Sequence, residues 1–173
     1  MIYCNKQTFR RKIMENKISL KKISGSLKFI IIAMGLCALA LQSVVSLMFI
    51  ISEANDIEKY RLPWMCLIWA TAIPMIPALY YSWRTAVNIG KNKAFCNDNA
   101  KNLKNIAISS AADTVLVLLG NIIFIVIGIS HPSVFLFCMV IELIGLAIFI
   151  AALGLSQLIV KAAELQEEND LTI

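Results

Sequence analysis

The chain has 173 residues, of which 59% are hydrophobic and 16% charged, against about 45–50% and about 25% in soluble proteins. With a mean hydropathy of +0.75, the composition excludes an ordinary soluble domain. A crossing helix takes about 20 apolar residues, so the apolar content fills roughly four crossings and leaves no room for a separate catalytic domain. Sixteen Lys and Arg against eleven Asp and Glu give a net charge of +5. In a soluble chain that balance would suggest nucleic acid, but here the basic clusters flank apolar runs, which points to anionic lipid headgroups.

The pattern predicts an all-α integral membrane protein with four transmembrane helices in an up-down bundle. Residues 1–28 form a basic arm carrying Lys6, Arg10, Arg11, Lys12, Lys17, Lys21, Lys22 and Lys28 with only Glu15 opposing. The transmembrane domain covers 29–160, beginning with an uncharged span over 29–51. Ala38-Leu39-Ala40 resembles a signal-cleavage site, but the long basic region and the apolar run continuing past Ala40 disfavour cleavage.

A short polar loop over 52–61 leads to a second span at 62–83, marked in depth by Trp64 at one end and Tyr80, Tyr81 and Trp83 at the other. Pro74 and Pro77 inside it each lack a backbone donor and predict a kink. Residues 84–105 read as a long polar central loop. A third span at 106–129, a tight connection at Ser130-His131-Pro132-Ser133 and a fourth span at 134–160 form a helical hairpin. The tail over 161–173 carries Glu164, Glu167, Glu168 and Asp170 against Lys161, and its helix-favouring start predicts that the last helix runs a turn or two out of the membrane.

Basic residues number eight before the first span, two (Lys59, Arg61) in the first loop and five (Arg84, Lys91, Lys93, Lys101, Lys104) in the central segment. The short connection holds none and the tail one. The positive-inside rule therefore predicts a multi-pass plasma-membrane protein with both termini cytoplasmic.

Catalytic motifs are missing. Cys4, Cys37, Cys66, Cys96 and Cys138 are too far apart for a CxxC motif and read as single thiols. His131 has no second ligand nearby, and no phosphate loop or metalloprotease motif occurs. The expectation is a protein that is not an enzyme and holds no cofactor or metal.

Polar chemistry at membrane depth stands out instead: Gln42 in the first span, Asp113 and Asn121 in the third, and Glu142 in the fourth. A charge at the bilayer centre costs about 2.5 kcal/mol or more, so such residues mark either a satisfied inter-helix contact or a proton or cation relay. Both readings stand, with Ser109, Ser110 and Thr114 as candidate partners in the first. Counted from the expected connection, Asp113 and Glu142 differ in depth by roughly 12 Å and should not pair. Gly145, Ala147, Ala151 and Gly154 give the fourth helix small residues for close packing.

Two segments carry a family resemblance. Residues 89–107, reading IGKNKAFCNDNAKNLKNIA and including Gly90, Phe95, Asn99 and Leu103, look like the central loop of a family of small bacterial membrane proteins. The tail KAAELQEENDLTI, including Leu171 and Ile173, resembles that family's C-terminus more closely. The family is domain of unknown function 2975. The resemblance implies four spans with short loops, no established activity, and a small helix-turn-helix regulator as a partner. Taken from the residues alone, Phe95, Leu103 and Ile106 also suit one face of an interfacial helix, and the acidic tail a solvated helix end.

The expected function is a membrane-embedded accessory or regulatory protein that engages a cytoplasmic partner through its inner face, with Glu164, Glu167, Glu168, Asp170, Leu171 and Ile173 as the contact. The alternative is a small multi-pass transporter that uses its membrane carboxylates for proton or cation coupling. The lipid bilayer is a partner on either reading, a homo-oligomer stays open, and no direct nucleic-acid binding is expected.

Overall fold

The computed structural model describes residues 2–51 and 55–171, with side chains described for 18–51, 60–165, 167 and 168. Five helices follow in order: α1 (Ile2–Ile51), α2 (Asn55–Ala70), α3 (Ala72–Gly90), α4 (Asn97–Val126) and α5 (Pro132–Leu171). No strand occurs among the described residues. Helices α2 and α3 share one crossing, so four segments are long and apolar enough to span a membrane: Ile18–Ile51, Tyr60–Gly90, Asn97–Val126 and Pro132–Leu165. The chain is a four-span helical membrane protein.

Cross-chain bonds give the direction of each span. The Ser24 hydroxyl donates to the Ala86 carbonyl at 2.7 Å, Asn88 meets Asn99, and the Ser156 hydroxyl donates to the Ala100 carbonyl at 2.7 Å. These contacts gather the early part of α1, the α3–α4 turn and the late part of α5 at one end of the bundle, the basic end. At the far end the Trp69 indole donates to Ser46, and the Trp64 and Phe124 rings meet edge-on at 4.8 Å. Successive spans are thus antiparallel. Packing follows chain order: α1 lies on the second crossing, α3 on α4, and α4 on α5, with α1 and α5 on opposite flanks.

What is buried is the reverse of a soluble core. The buried hydrophobic residues are mostly alanines (Ala86, Ala100, Ala107, Ala152), and they share the interior with Ser24, Ser46, Asn99, Ser109, Asn121, Glu142 and Ser156. Large apolar side chains face outward, as at Leu62, Phe29 and Val126. Lipid tails are as apolar as leucine, so burying leucine brings no hydrophobic driving force. Small residues that let backbones approach and polar groups that bond across helices stabilise association instead.

Four expected boundaries need correction. Helix α2 starts at Asn55, inside the segment expected as a polar loop over 52–61. Residues 84–105 are mostly helical: α3 runs on to Gly90 and α4 starts at Asn97, leaving a turn of six residues, 91–96. Ala100, Leu103 and Ala107 recur at helical spacing through that segment, and the inward face they form outweighs the polar composition between them. Phe95 falls in the turn, outside the helix that holds Leu103 and Ile106. Helix α1 begins far before residue 29, and α5 continues to Leu171, well over the expected turn or two.

The second crossing is interrupted at Thr71, not at its prolines. Pro74 has no N–H for the Ala70 carbonyl and its ring crowds that carbonyl, so the helix breaks a turn earlier. Pro74 then occupies the first turn of α3, where a backbone donor has no intrahelical acceptor anyway. Polar groups cover the break. The Thr71 hydroxyl donates to the Ile68 carbonyl at 2.7 Å, while the Gln42 amide donates to that carbonyl at 3.2 Å and to Thr71 Oγ1 at 3.1 Å.

Candidate functional site

Two regions hold the residues singled out by sequence: the polar positions in the membrane interior and the basic end.

In the interior, α4 presents polar groups on two faces. Asn121, seven residues after Thr114, is fully buried against α5, and its amide donates to Glu142 Oε1 at 3.2 Å. Both side chains lean toward the N-terminus of their own helix, and on antiparallel helices that leaning brings them together. Asn121 Oδ1 has no partner. Asp113 lies seven residues before Gly120 and so shares the face that meets the second crossing, where a Cβ on Gly120 would come within 2.5 Å of Leu67 Cδ1. Asp113 is half-buried, and its Oδ1 also lacks a hydrogen-bond partner.

The depth expectation is corrected. Helix α4 ends at Val126 and α5 starts at Pro132, which puts Asp113 about 13 residues before the end of α4 and Glu142 about ten after the start of α5. At about 1.5 Å per residue they differ by roughly 4.5 Å in depth. Their separation comes from facing different neighbours. Two of the partners expected for the carboxylates are engaged elsewhere: Ser110 donates to the Gly145 carbonyl at 2.8 Å and Thr114 to its own helix at Ser110. Gly145 makes room there: a Cβ would lie 2.5 Å from Thr114 Oγ1, which would have to move.

At the basic end Asn99 closes the α3–α4 turn. It is 1% exposed; its Oδ1 accepts from Asn88 at 2.8 Å, and its amide donates to the Lys93 and Ala94 carbonyls at 3.0 and 2.9 Å. A positive φ of 61° at Asn92 lets the chain reverse. Gly90 sits against α1, where a Cβ would meet Ser24 Oγ at 2.6 Å. Phe95 is exposed and Leu103 half-buried. The central motif is therefore first a device for joining helices. Sequence reasoning passes over Ser24, Asn88 and Ser156, whose only signal is a small polar residue at helical spacing from small apolar ones.

The tail residues Glu164, Glu167 and Glu168 are exposed along the end of α5. The side chains of Asp170 and Leu171, and all of Ile173, lie outside the described residues. At the far end His131 Nδ1 accepts from the Ser133 N–H at 3.3 Å and lies 2.7 Å from its hydroxyl, a local loop contact. Cys37, Cys66, Cys96 and Cys138 are free thiols. Among the described residues no three His, Cys, Asp or Glu side chains gather in a way that could hold a metal ion.

Comparison with known proteins agrees with this architecture. Residues 47–173 match the family model described as Protein of unknown function (DUF2975). A relative from Bacillus subtilis (strain 168), described as the uncharacterized membrane protein YoaS, is 30% identical over 108 residues, covering 61% of this chain and 68% of the relative. No solved structure matches. With the greater part of its length matched, the chain belongs to the DUF2975 family of membrane proteins.

Proposed function

We propose that the protein is a plasma-membrane accessory or regulatory subunit, without catalysis of its own, that engages a cytoplasmic partner through its basic end. Both termini and the α3–α4 turn lie on the cytoplasmic side in this reading. One observation carries it: at this end α1 and α5 run as helices through charged sequence, residues 2–28 and 161–171, whereas the described connection at the far end, 127–131, is five residues long. Lys21, Lys22, Lys91, Lys93 and Lys101 are exposed at that end, and so are Glu164, Glu167 and Glu168 of α5. A charged helical projection offers a protein more surface than a connection of a few residues does.

The family resemblance suggests a small helix-turn-helix regulator as the partner. Such proteins present basic surfaces that a run of carboxylates attracts, and the attraction weakens as salt rises. Substituting Glu164, Glu167, Glu168 and Asp170 together by neutral amides should release the partner from the membrane fraction and change transcription of its targets. Unchanged retention and transcription would remove the tail from the mechanism.

Asp113 favours a second reading, a small transporter coupled to protons or cations, because its Oδ1 is buried without a donor. Loss of a vesicle flux in Asp113→Asn, with the fold intact, would support it. Glu142, already bonded to Asn121, has less to offer such a relay.

A further inference from the structure

We infer that the groove between α4 and α5 at the basic end is a binding site for an anionic phospholipid. The groove, about 460 Å³, is lined by Leu153 and Val160 together with Lys104, Gln157, Lys161 and Glu164. Two other grooves, one along α1 at Val44, Leu47 and Met48 and one between α1 and α3 at Gly35, Leu79 and Trp83, are lined by apolar and aromatic side chains. Those suit acyl chains of any lipid. The α4–α5 groove joins an apolar wall to two cations.

The position of the lysines follows from the helix crossing. Ser156 donates to the Ala100 carbonyl at 2.7 Å, and buried Ala100, Ala107 and Ala152 let the two helices close there. Lys104 lies one turn along α4 from that crossing toward the membrane, and Lys161 lies on α5 beyond it, away from the membrane. Side chains lean toward the N-terminus of their own helix, so on antiparallel helices Lys104 leans out of the membrane and Lys161 leans into it. Both ammonium groups converge toward the level of Ser156 and Gln157, at the boundary where the apolar span ends. A phosphodiester at headgroup depth meets both cations there, with its acyl chains running down Leu153 toward the bilayer centre. Glu164 opposes one lysine and leaves the groove net positive. The site depends on the end of the bundle at which it lies, not on which compartment that end faces; it shares Glu164 with the proposed tail contact, and the lysine variants below leave that residue in place.

The test uses the full-length protein, delipidated in neutral detergent, with native mass spectrometry of bound phosphatidylglycerol and phosphatidylcholine of matched chains. The wild type should prefer the anionic lipid by about 30-fold, and Lys104→Gln alone should reduce that preference about fivefold. Lys104→Gln with Lys161→Gln should abolish it, while Lys91→Gln with Lys93→Gln, exposed lysines of the α3–α4 turn, should retain it. An undiminished preference in the groove variant, or an equal loss in the turn variant, overturns the site in favour of diffuse charge attraction. Glycerophosphoglycerol, which has the headgroup without chains, should fail to displace the lipid. Displacement at equal concentration would make the groove a free-anion site and overturn the lipid assignment. Unchanged thermal unfolding of each variant shows that the readout is binding.

Discussion

The α4–α5 hairpin and the pairing of α1 with the second crossing solve the same problem in different ways. In the hairpin the contacts run the length of both helices: Ser156 on the Ala100 carbonyl, Ser110 on the Gly145 carbonyl, and Asn121 on Glu142. A connection of five residues, 127–131, holds the helices in register, and Gly128 takes a φ of 76° to turn the chain. Helix α1 is fastened at Ser24 on the Ala86 carbonyl at the basic end of the bundle and at Gln42 and Ser46 toward the other. Between those points Lys28 Nζ lies over the Trp83 ring, 5.5 Å from its centre, and Gly35 meets Leu79 in an apolar contact. Where hydrophobic burial gives no preference for association, the density of small residues and cross-helix bonds decides how firmly a helix is held.

The largest expected effect comes from filling the hairpin. Gly145→Leu places side-chain atoms where Thr114 Oγ1 already sits, and overpacking of this kind costs about 1–3 kcal/mol. Unfolding in mixed micelles should show that loss, and Thr114→Ala added to the milder Gly145→Ala should recover most of that variant's smaller one. No recovery would mean that Thr114 is not what Gly145 accommodates.

Gly90→Leu tests the other region. It should force Ser24 away and loosen α1 at a cost of about 1–2 kcal/mol. A disulfide crosslink engineered between α1 and α3 should form more slowly, while one between α4 and α5 keeps its rate. Equal slowing of both would erase the contrast between the two regions.

Amide replacements should have the smallest effect. Glu142→Gln keeps an acceptor oxygen for Asn121, and Asp113→Asn loses no hydrogen bond at Oδ1, so each should change stability by less than about 1 kcal/mol. A larger loss at Asp113 would reveal a partner that its half-buried position does not suggest.

The four spans are legible in the sequence because an apolar run about 20 residues long matches the thickness of the hydrocarbon core and suits no water-exposed surface. Their extents are not. The bilayer limits the apolar stretch but not the helix, which continues through any polar segment that favours it, as α5 does through Ala162-Ala163-Glu164-Leu165. Pro74 and Pro77 announce a kink in the second crossing but not its place at Thr71, because a proline disrupts the turn before it and Gln42 of another helix supplies the compensating bonds. Among the interior polar residues, sequence identifies the positions and not the pairings. Asn121 and Glu142 meet through a crossing geometry that spacing along either helix leaves undetermined.

Because each crossing rests on its neighbour in the chain, the order of packing is also the order of synthesis. The seat of α1 is complete once α3 has been made, that of α4 is α3, and α5 packs on α4 alone. No contact of comparable extent must wait for the first and last helices to meet. An assembly dominated by such local pairings avoids the entropic cost of closing long loops before any contact is gained, and it leaves few intermediates with a polar face stranded in lipid. The packing order therefore allows stepwise addition, each helix docking on the one made just before it.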